Sequence, residues 1–346
     1  MQQNRTELGA LGEFGLIDKL TDGVELNDNG TVLGVGDDAA ILNPSKGLQV
    51  VSTDMLVEGV HFDLSYVPLQ HLGYKAISVN VSDVAAMNCV PKQVTVSIAV
   101  SNRFSLEAME ALYSGVKAAC QNFKVDLVGG DTTSSRSGLV ISVTVLGESS
   151  NNQEPVRRSG AKEGDILCAT GDLGGAFVGL QVLERQKVEY LANPEMQPDI
   201  EKYAYVVQRQ LKPEARMDII HELSELEIKP TSMIDVSDGL ASEVFHLSKH
   251  SGIGFNIYED KVPIDRETYN TAVEFNLDPI TCALNGGEDY ELLFTIDQED
   301  YKKLEKHYDI HFIGYAQELS KGINLITKQQ NVVPIQAQGW NHFNEK

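Results

Sequence analysis

Long apolar runs are missing from this chain: no stretch approaches the roughly 18–20 residues of a membrane-spanning helix. The opening MQQNRTELGALGEFGLIDKL has no basic region, continuous apolar core or cleavage site, which predicts no signal peptide. Cysteine is scarce. Cys89, Cys120, Cys168 and Cys282 lie far apart without a C-x-x-C pair, which argues for reduced thiols in a cytoplasmic protein and against a disulfide framework or zinc site. Positive charge is short as well: 28 Lys and Arg stand against 50 Asp and Glu, a net charge of −22. Nucleic-acid backbones and anionic membranes demand a positive surface, so neither is an expected partner. A phosphate ligand would have to be neutralised by something other than lysine and arginine.

Familiar catalytic signatures are also absent. There is no G-x-x-x-x-G-K-[ST], no G-x-S-x-G and no suggestive Cys–His pairing. GVGDDA, from Gly34, formally fits a dinucleotide fingerprint. However, Asp37 and Asp38 stand where pyrophosphate would sit, and Pro44 leaves too little chain for the required helix.

What is present is an ordinary globular composition, 42% hydrophobic and 23% charged over 346 residues. At about 100–200 residues per domain this predicts two α/β domains, 1–148 and 149–346, joined through the polar SSNNQEP at 149–155. The first predicted elements are an amphipathic helix over about 1–20 and a strand from Leu48, with Val50 and Ser52 on one face and Val51 and Thr53 on the other. A helix follows from Gly73, then a strand at PKQVTVSIAV and a helix capped by Ser105. LVGGDTTSS reads as a strand with a glycine-rich turn, and LVISVTVLGE as a long strand. The second domain starts with a strand at DILCATG and a glycine turn into GGAFVGLQVLERQ. A polar excursion over about 187–215 comes next and receives no role. TSMIDV, a helix stopped by Gly252, and a strand from Tyr290 complete the pattern.

Acidic clusters fall at the ends of these elements: Asp37 and Asp38; Ser52, Thr53 and Asp54; Asn80 and Asp83; Asp131 after Gly129 and Gly130; Asp235, Ser237 and Asp238; Glu288 and Asp289. Asp and Gly are turn formers, so any one cluster has a purely structural reading. Together they point elsewhere, because converging carboxylates repel one another unless divalent cations lie between them. Hard oxygen donors without His or Cys suit Mg²⁺ or Mn²⁺, and such ions let an acidic protein hold a polyphosphate. Gly130 and the set Gly171, Gly174 and Gly175 would admit anionic oxygens close to backbone N–H groups, or serve only as tight turns. His61, seven residues past Asp54, is a substrate-contact candidate or a structural histidine; Arg158 reaches a nucleotide phosphate or lies on a solvated face.

In order, GEFGLIDKL, GVGDDAAIL, STDMLVEGVHFD, GYKAISVNVSDVAAMN, VGGDTT, RSGAKEGD, IDVSDGL, GGEDYELLF and the terminal GWNHF resemble the thiamine-monophosphate kinase family over residues 12–343. The resemblance implies ATP-dependent, magnesium-assisted phosphoryl transfer to thiamine monophosphate. It also implies the two-domain fold of aminoimidazole ribonucleotide synthetase, with N-terminal domains pairing into a dimer-wide β-barrel in a homodimer. By the same resemblance, Asp38, Ser52, Thr53, Asp54, Asp83, Asp131, Asp235 and Asp238 would hold several Mg²⁺ ions, the last four with Asp54 carrying catalysis through them. Tyr113, Gly130, Asp131, Arg158 and Ser237 would contact ATP; His61, Glu288 and Trp340, or Phe343 in its place, would contact the acceptor. The alternatives are another enzyme of the same superfamily and a non-catalytic sensor of thiamine phosphates or nucleotides.

Overall fold

Alternation in the first half, and continuous burial in some strands of the second, produce two different sheets. The computed structural model describes residues 31–33, 37, 40–42, 48–149, 154–195 and 199–336. The predicted helix at 1–20 and most of the 149–155 linker lie outside these residues. The first part runs β1 (Thr31–Leu33), β2 (Ala40–Leu42), β3 (Gln49–Val57), α1 (Leu69–Ala86), β4 (Cys89–Val100), α2 (Leu106–Phe123), β5 (Asp126–Ser134) and β6 (Leu139–Ser149). Its six strands are ordered β1-β2-β3-β6-β4-β5; β4 and β5 are parallel, with α2 as their crossover. Ser105 caps α2 as expected, its side chain accepting from the Ala108 N–H at 3.3 Å.

Helices α1 and α2 cover one face of this sheet. They meet at two glycines: a Cβ on Gly73 would lie 2.0 Å from the Leu112 carbonyl oxygen, and one on Gly115 only 1.8 Å from that of Gln70. Main chain therefore packs on main chain, which only glycine permits. Asp54, Val143, Val96 and Gly130 line up across the sheet in one register row, and Met55, Ser142, Ser97 and Asp131 in the next. The first row faces the helices, and Val143 and Val96 are buried there. The second faces away, uncovered, with Met55 56% exposed.

The second part runs β7 (Ile166–Thr170), α3 (Gly175–Ala192), α4 (Ala204–Leu211), α5 (Met217–Glu225), β8 (Ser232–Asp235), α6 (Leu240–Ser251), β9 (Gly254–Tyr258), α7 (Arg266–Glu274), α8 (Pro279–Asn285), β10 (Leu292–Ile296), α9 (Tyr301–Leu304), β11 (Ile310–Gln317), β12 (Ile323–Ile326) and β13 (Val332–Pro334). The order is β13-β12-β9-β11-β7-β10-β8, antiparallel except for β9 with β12. Every residue of β8 and β10 is buried. Gly252 stops α6 in the left-handed conformation, φ +70°, as predicted. Neither sheet closes on itself.

Three local expectations are corrected. LVGGDTTSS contains no turn: β5 continues through Gly129 and Gly130, with a register shift against β4 at Val128, and a Cβ on Gly130 would meet the Val96 carbonyl oxygen at 1.9 Å. The 187–215 excursion carries the end of α3 and all of α4, whose Val206 and Leu211 are buried. The strand expected from Tyr290 starts at Leu292, because Glu288 and Tyr290 have φ of +68° and +52°, which no strand residue adopts.

Helix α1 connects the two halves. Lys75, Ser78, Asn80 and Ser82 are all polar and all buried. Lys75, Ser78 and Ser82, at i, i+3 and i+7, form one stripe toward the second domain. They bond the Gln210 carbonyl at 3.1 Å, the Pro213 carbonyl at 2.7 Å and the Asp235 carboxylate at 2.5 Å. Asn80 and Asp83 face β3 instead.

Candidate active site

The acidic clusters gather where α1 lies between the sheets. The Ser52 hydroxyl donates to the Asp83 carboxylate at 2.5 Å, and the Asp54 N–H donates to Asn80 Oδ1 at 3.0 Å. Asn80 is fixed in turn by donating to the Ala76 carbonyl at 2.9 Å. On the other side, Asp235 ends β8 and receives Ser82. The chain from Gly287 to Glu291 lies back along Val236 and Ser237: Glu288 N–H donates to Ser237 O at 2.7 Å and Tyr290 N–H to Val236 O at 2.9 Å.

Electrostatics records the same convergence. Burial pushes the Tyr290 phenol far above its ordinary value, and the carboxylates of Glu288, Asp54, Asp235 and Asp238 push it further. Residues from both domains therefore act on one side chain. Glu243, 2% exposed, accepts from the Asp238 N–H at 3.0 Å; burial, then the neighbouring Asp238, raise its carboxyl well above the usual range. Ser237 reaches the same Glu243 oxygen at 3.5 Å. Glu288 meets Lys75 at 2.9 Å. The Arg158 N–H lies 3.3 Å from both Asp37 carboxylate oxygens, and its Nε lies 3.7 Å from one of them. The Val57 N–H donates to His61 Nδ1 at 3.0 Å in the turn after β3.

Gly130 is a strand residue. The other expected anion cradle takes another form. At the start of α3, the N–H groups of Gly174 and Ala176 already bind the chain's own Asp289 carboxylate, at 2.7 and 3.1 Å. The glycine turn thus serves a buried internal cap. Burial raises Asp289 to about 7, although Arg209 and those N–H groups pull it down.

Family models describe the two halves: the AIR synthase related protein N-terminal domain matches residues 36–149, and its C-terminal domain residues 162–318. The thiamine-monophosphate kinase of Bacillus subtilis is 34% identical over 339 residues, covering 96% of this chain and 100% of that protein. That of Aquifex aeolicus is 35% identical over 337 residues, covering 97% and 99%. The solved structure of AaThiL complexed with AMPPCP and TMP matches with a TM-score of 0.82 at 34% identity, covering 99% of this chain and 100% of that one. The chain belongs to the thiamine-monophosphate kinase family.

Not every residue marked by the kinase-family resemblance meets the others within one chain. The Thr53 hydroxyl points to the uncovered face, where it donates to Val143 O at 2.9 Å and pairs with the Thr144 hydroxyl at 3.0 Å. Asp131 lies on the same face, and β5 is three strand spacings from β3, about 14 Å. Tyr113 sits half-buried on α2 against the first domain's core. Asp38, Trp340 and Phe343 lie outside the described residues. Among the described residues no three His, Cys, Asp or Glu side chains form a ready-made metal cage.

Sequence reasoning missed Lys75, Gln210, Glu243 and the arginines that neutralise Glu291. Arg209 and Arg216 contact that carboxylate at 2.9 and 2.6 Å and hold it below its ordinary value against the opposing effect of burial. A lysine in the middle of a helix, and a glutamate in the first turn after DVSDG, were the available signals.

Proposed function

We propose that this chain transfers the γ-phosphoryl group of ATP to the phosphate of thiamine monophosphate, giving thiamine diphosphate and ADP. The observation that carries this reading is that helix α1 joins both halves of the acidic donor set, with Asp83 bonded to Ser52 of the first sheet and Ser82 bonded to Asp235 of the second. The acceptor is a phosphate oxygen that is ionised at neutral pH, so no strong general base is needed. The obstacle is the approach of two anions. The donor set Ser52, Asp54, Asp83, Asp235 and Asp238 is all oxygen. One or two carboxylates per ion suit Mg²⁺, which keeps water and phosphate oxygens in its shell. When bound, such ions supply charge neutralisation and in-line orientation. Ser82 and Asn80 hold the two halves of that donor set in place from α1. Ser237, Arg158, Gly130, Asp131 and Tyr113 contact the nucleotide; His61, Glu288 and Trp340 contact the acceptor.

The reading extends to the assembly. Domains 1–148 and 149–346 form a cytoplasmic homodimer in which the uncovered faces of two first-domain sheets close into a barrel. Asp131 and Thr53, both on that face, then approach the site with the partner present. Transfer is direct, without a phosphoenzyme. The test is an assay with ATP, Mg²⁺ and thiamine monophosphate beside thiamine and aminoimidazole precursors. Thiamine diphosphate formed from the monophosphate alone is the expected result, and tight binding of both ligands without product overturns it.

A further inference from the structure

Glu288 is held on two sides. Its main chain is set in the left-handed region, φ +68°, by the N–H bond to Ser237, so the side chain leaves the loop in a fixed direction. One carboxylate oxygen meets Lys75 Nζ at 2.9 Å; the other accepts from Gln210 Nε2 at 2.5 Å. Lys75 is 5% exposed and Glu288 28%, so the ammonium lies behind the carboxylate and the open side of Glu288 faces away from it. The same lysine donates to the Gln210 carbonyl at 3.1 Å, which ties both partners of Glu288 together. Gln210 is 6% exposed, and its Oε1 has no hydrogen-bond partner among the described residues.

We infer that Lys75 and Gln210 are positioning residues for the acceptor substrate, acting through Glu288. The inference rests on the reading of Glu288 as an acceptor contact given above. A buried ammonium compensates the carboxylate, so the pair adds no net charge to an already acidic site. What it presents is a set of fixed lone pairs, since each carboxylate oxygen accepts more than one bond. Gln210 Oε1 is fully buried and keeps no bond of its own among the described residues, so the glutamine's bond to Glu288 is its role here. Such a carboxylate edge recognises N–H donors, of the kind an amino-substituted heterocycle carries. Neither residue reaches the phosphate-transfer end: Asp83 lies eight residues along α1 from Lys75, about 12 Å.

The test uses full-length Lys75→Met, Lys75→Arg and Gln210→Leu proteins, with KM for thiamine monophosphate and for ATP measured separately beside thermal melts. Losing a hydrogen bond to a charged group predicts a rise of about tenfold or more in KM for thiamine monophosphate in Lys75→Met. Its kcat and its KM for ATP stay within about twofold, the pattern of lost uniform binding. Lys75→Arg recovers most of the loss. Gln210→Leu removes one bond and an unpaired oxygen together, so it melts like the wild type with a KM for thiamine monophosphate about threefold higher. Equal rises in both KM values, or an unchanged KM for thiamine monophosphate in Gln210→Leu, overturn the inference. Where Lys75→Met does not melt cooperatively, Gln210→Leu decides. A wild-type protein inactive on thiamine monophosphate instead defeats the functional reading itself.

Discussion

The two sheets are built on opposite plans. In the second, β8 and β10 are buried along their whole length, while β6 of the first alternates a buried row with a part-exposed one. The buried row of β6 is Leu139, Ile141, Val143 and Val145, and its other row includes Ser142 and Thr144. A sheet covered on both sides needs apolar residues at every position; one covered on a single side needs them at every second. The first sheet therefore separates its site residues by parity: Ser52 and Asp54 turn toward α1, Thr53 and Asp131 away. The second domain delivers Asp235 and Asp238 from the end of a fully buried strand, where their direction is fixed by the scaffold.

The largest effect expected from this contrast is on the rate. Asp54→Asn keeps the size and the α1-facing position but removes the charge, and should lower kcat about 10³-fold with the melt unchanged, within the range seen when charge-stabilising groups at an active site are lost. Near-normal turnover at saturating Mg²⁺ removes Asp54 from the role. The next effect is on stability. Phe294, fully buried in β10, should cost about 3–5 kcal/mol when truncated to alanine, measured by denaturant unfolding. Met55→Ala on the uncovered face should cost under about 1 kcal/mol. A larger loss at Met55 that grows with dilution would expose a partner seated on that face.

The last effect is a slope with pH. Asp289 is raised from 3.8 to about 7, so between those values the folded protein binds more protons than the unfolded chain. Its contribution therefore favours folding below pH 4, weakens as pH rises and levels off above about 7. Comparison with Asp289→Asn over pH 4–8 isolates it: the stability difference, wild type minus variant, should fall across that window. A flat difference, or a rising one, contradicts the assignment.

Much of the site was legible because its acidic residues stand out from the hydrophobic pattern around them, although only Asp235 and Asp238 mark the end of an element as expected. Ser52 and Asp54 lie inside β3, and Asp83 lies inside α1. The residues that fix them were not legible, since their partners lie far along the chain: Lys75 meets Gln210 across 135 positions and Gly174 meets Asp289 across 115. Gly174 and Gly175 have the pattern of a phosphate loop, and sequence alone cannot show that a carboxylate of the same chain fills it. Gly130 misled for a different reason. Its lack of a side chain serves close strand packing, which carries the same one-letter signal as a turn. Helix α4 stayed hidden because only Val206, Val207, Gln210 and Leu211 of its eight residues are buried.

Helix α1 has one consequence for what the site can admit. Lys75 near its middle answers to the loop holding Glu288, and Asp83 two turns further on answers to β3, with rigid helix between them. The gap between the two ends of any bound molecule is thereby measured by a ruler of fixed pitch. Adding a single residue to that ruler would swing the far mark by about 100°, so tolerance for longer or shorter acceptors has to come from the surrounding loops.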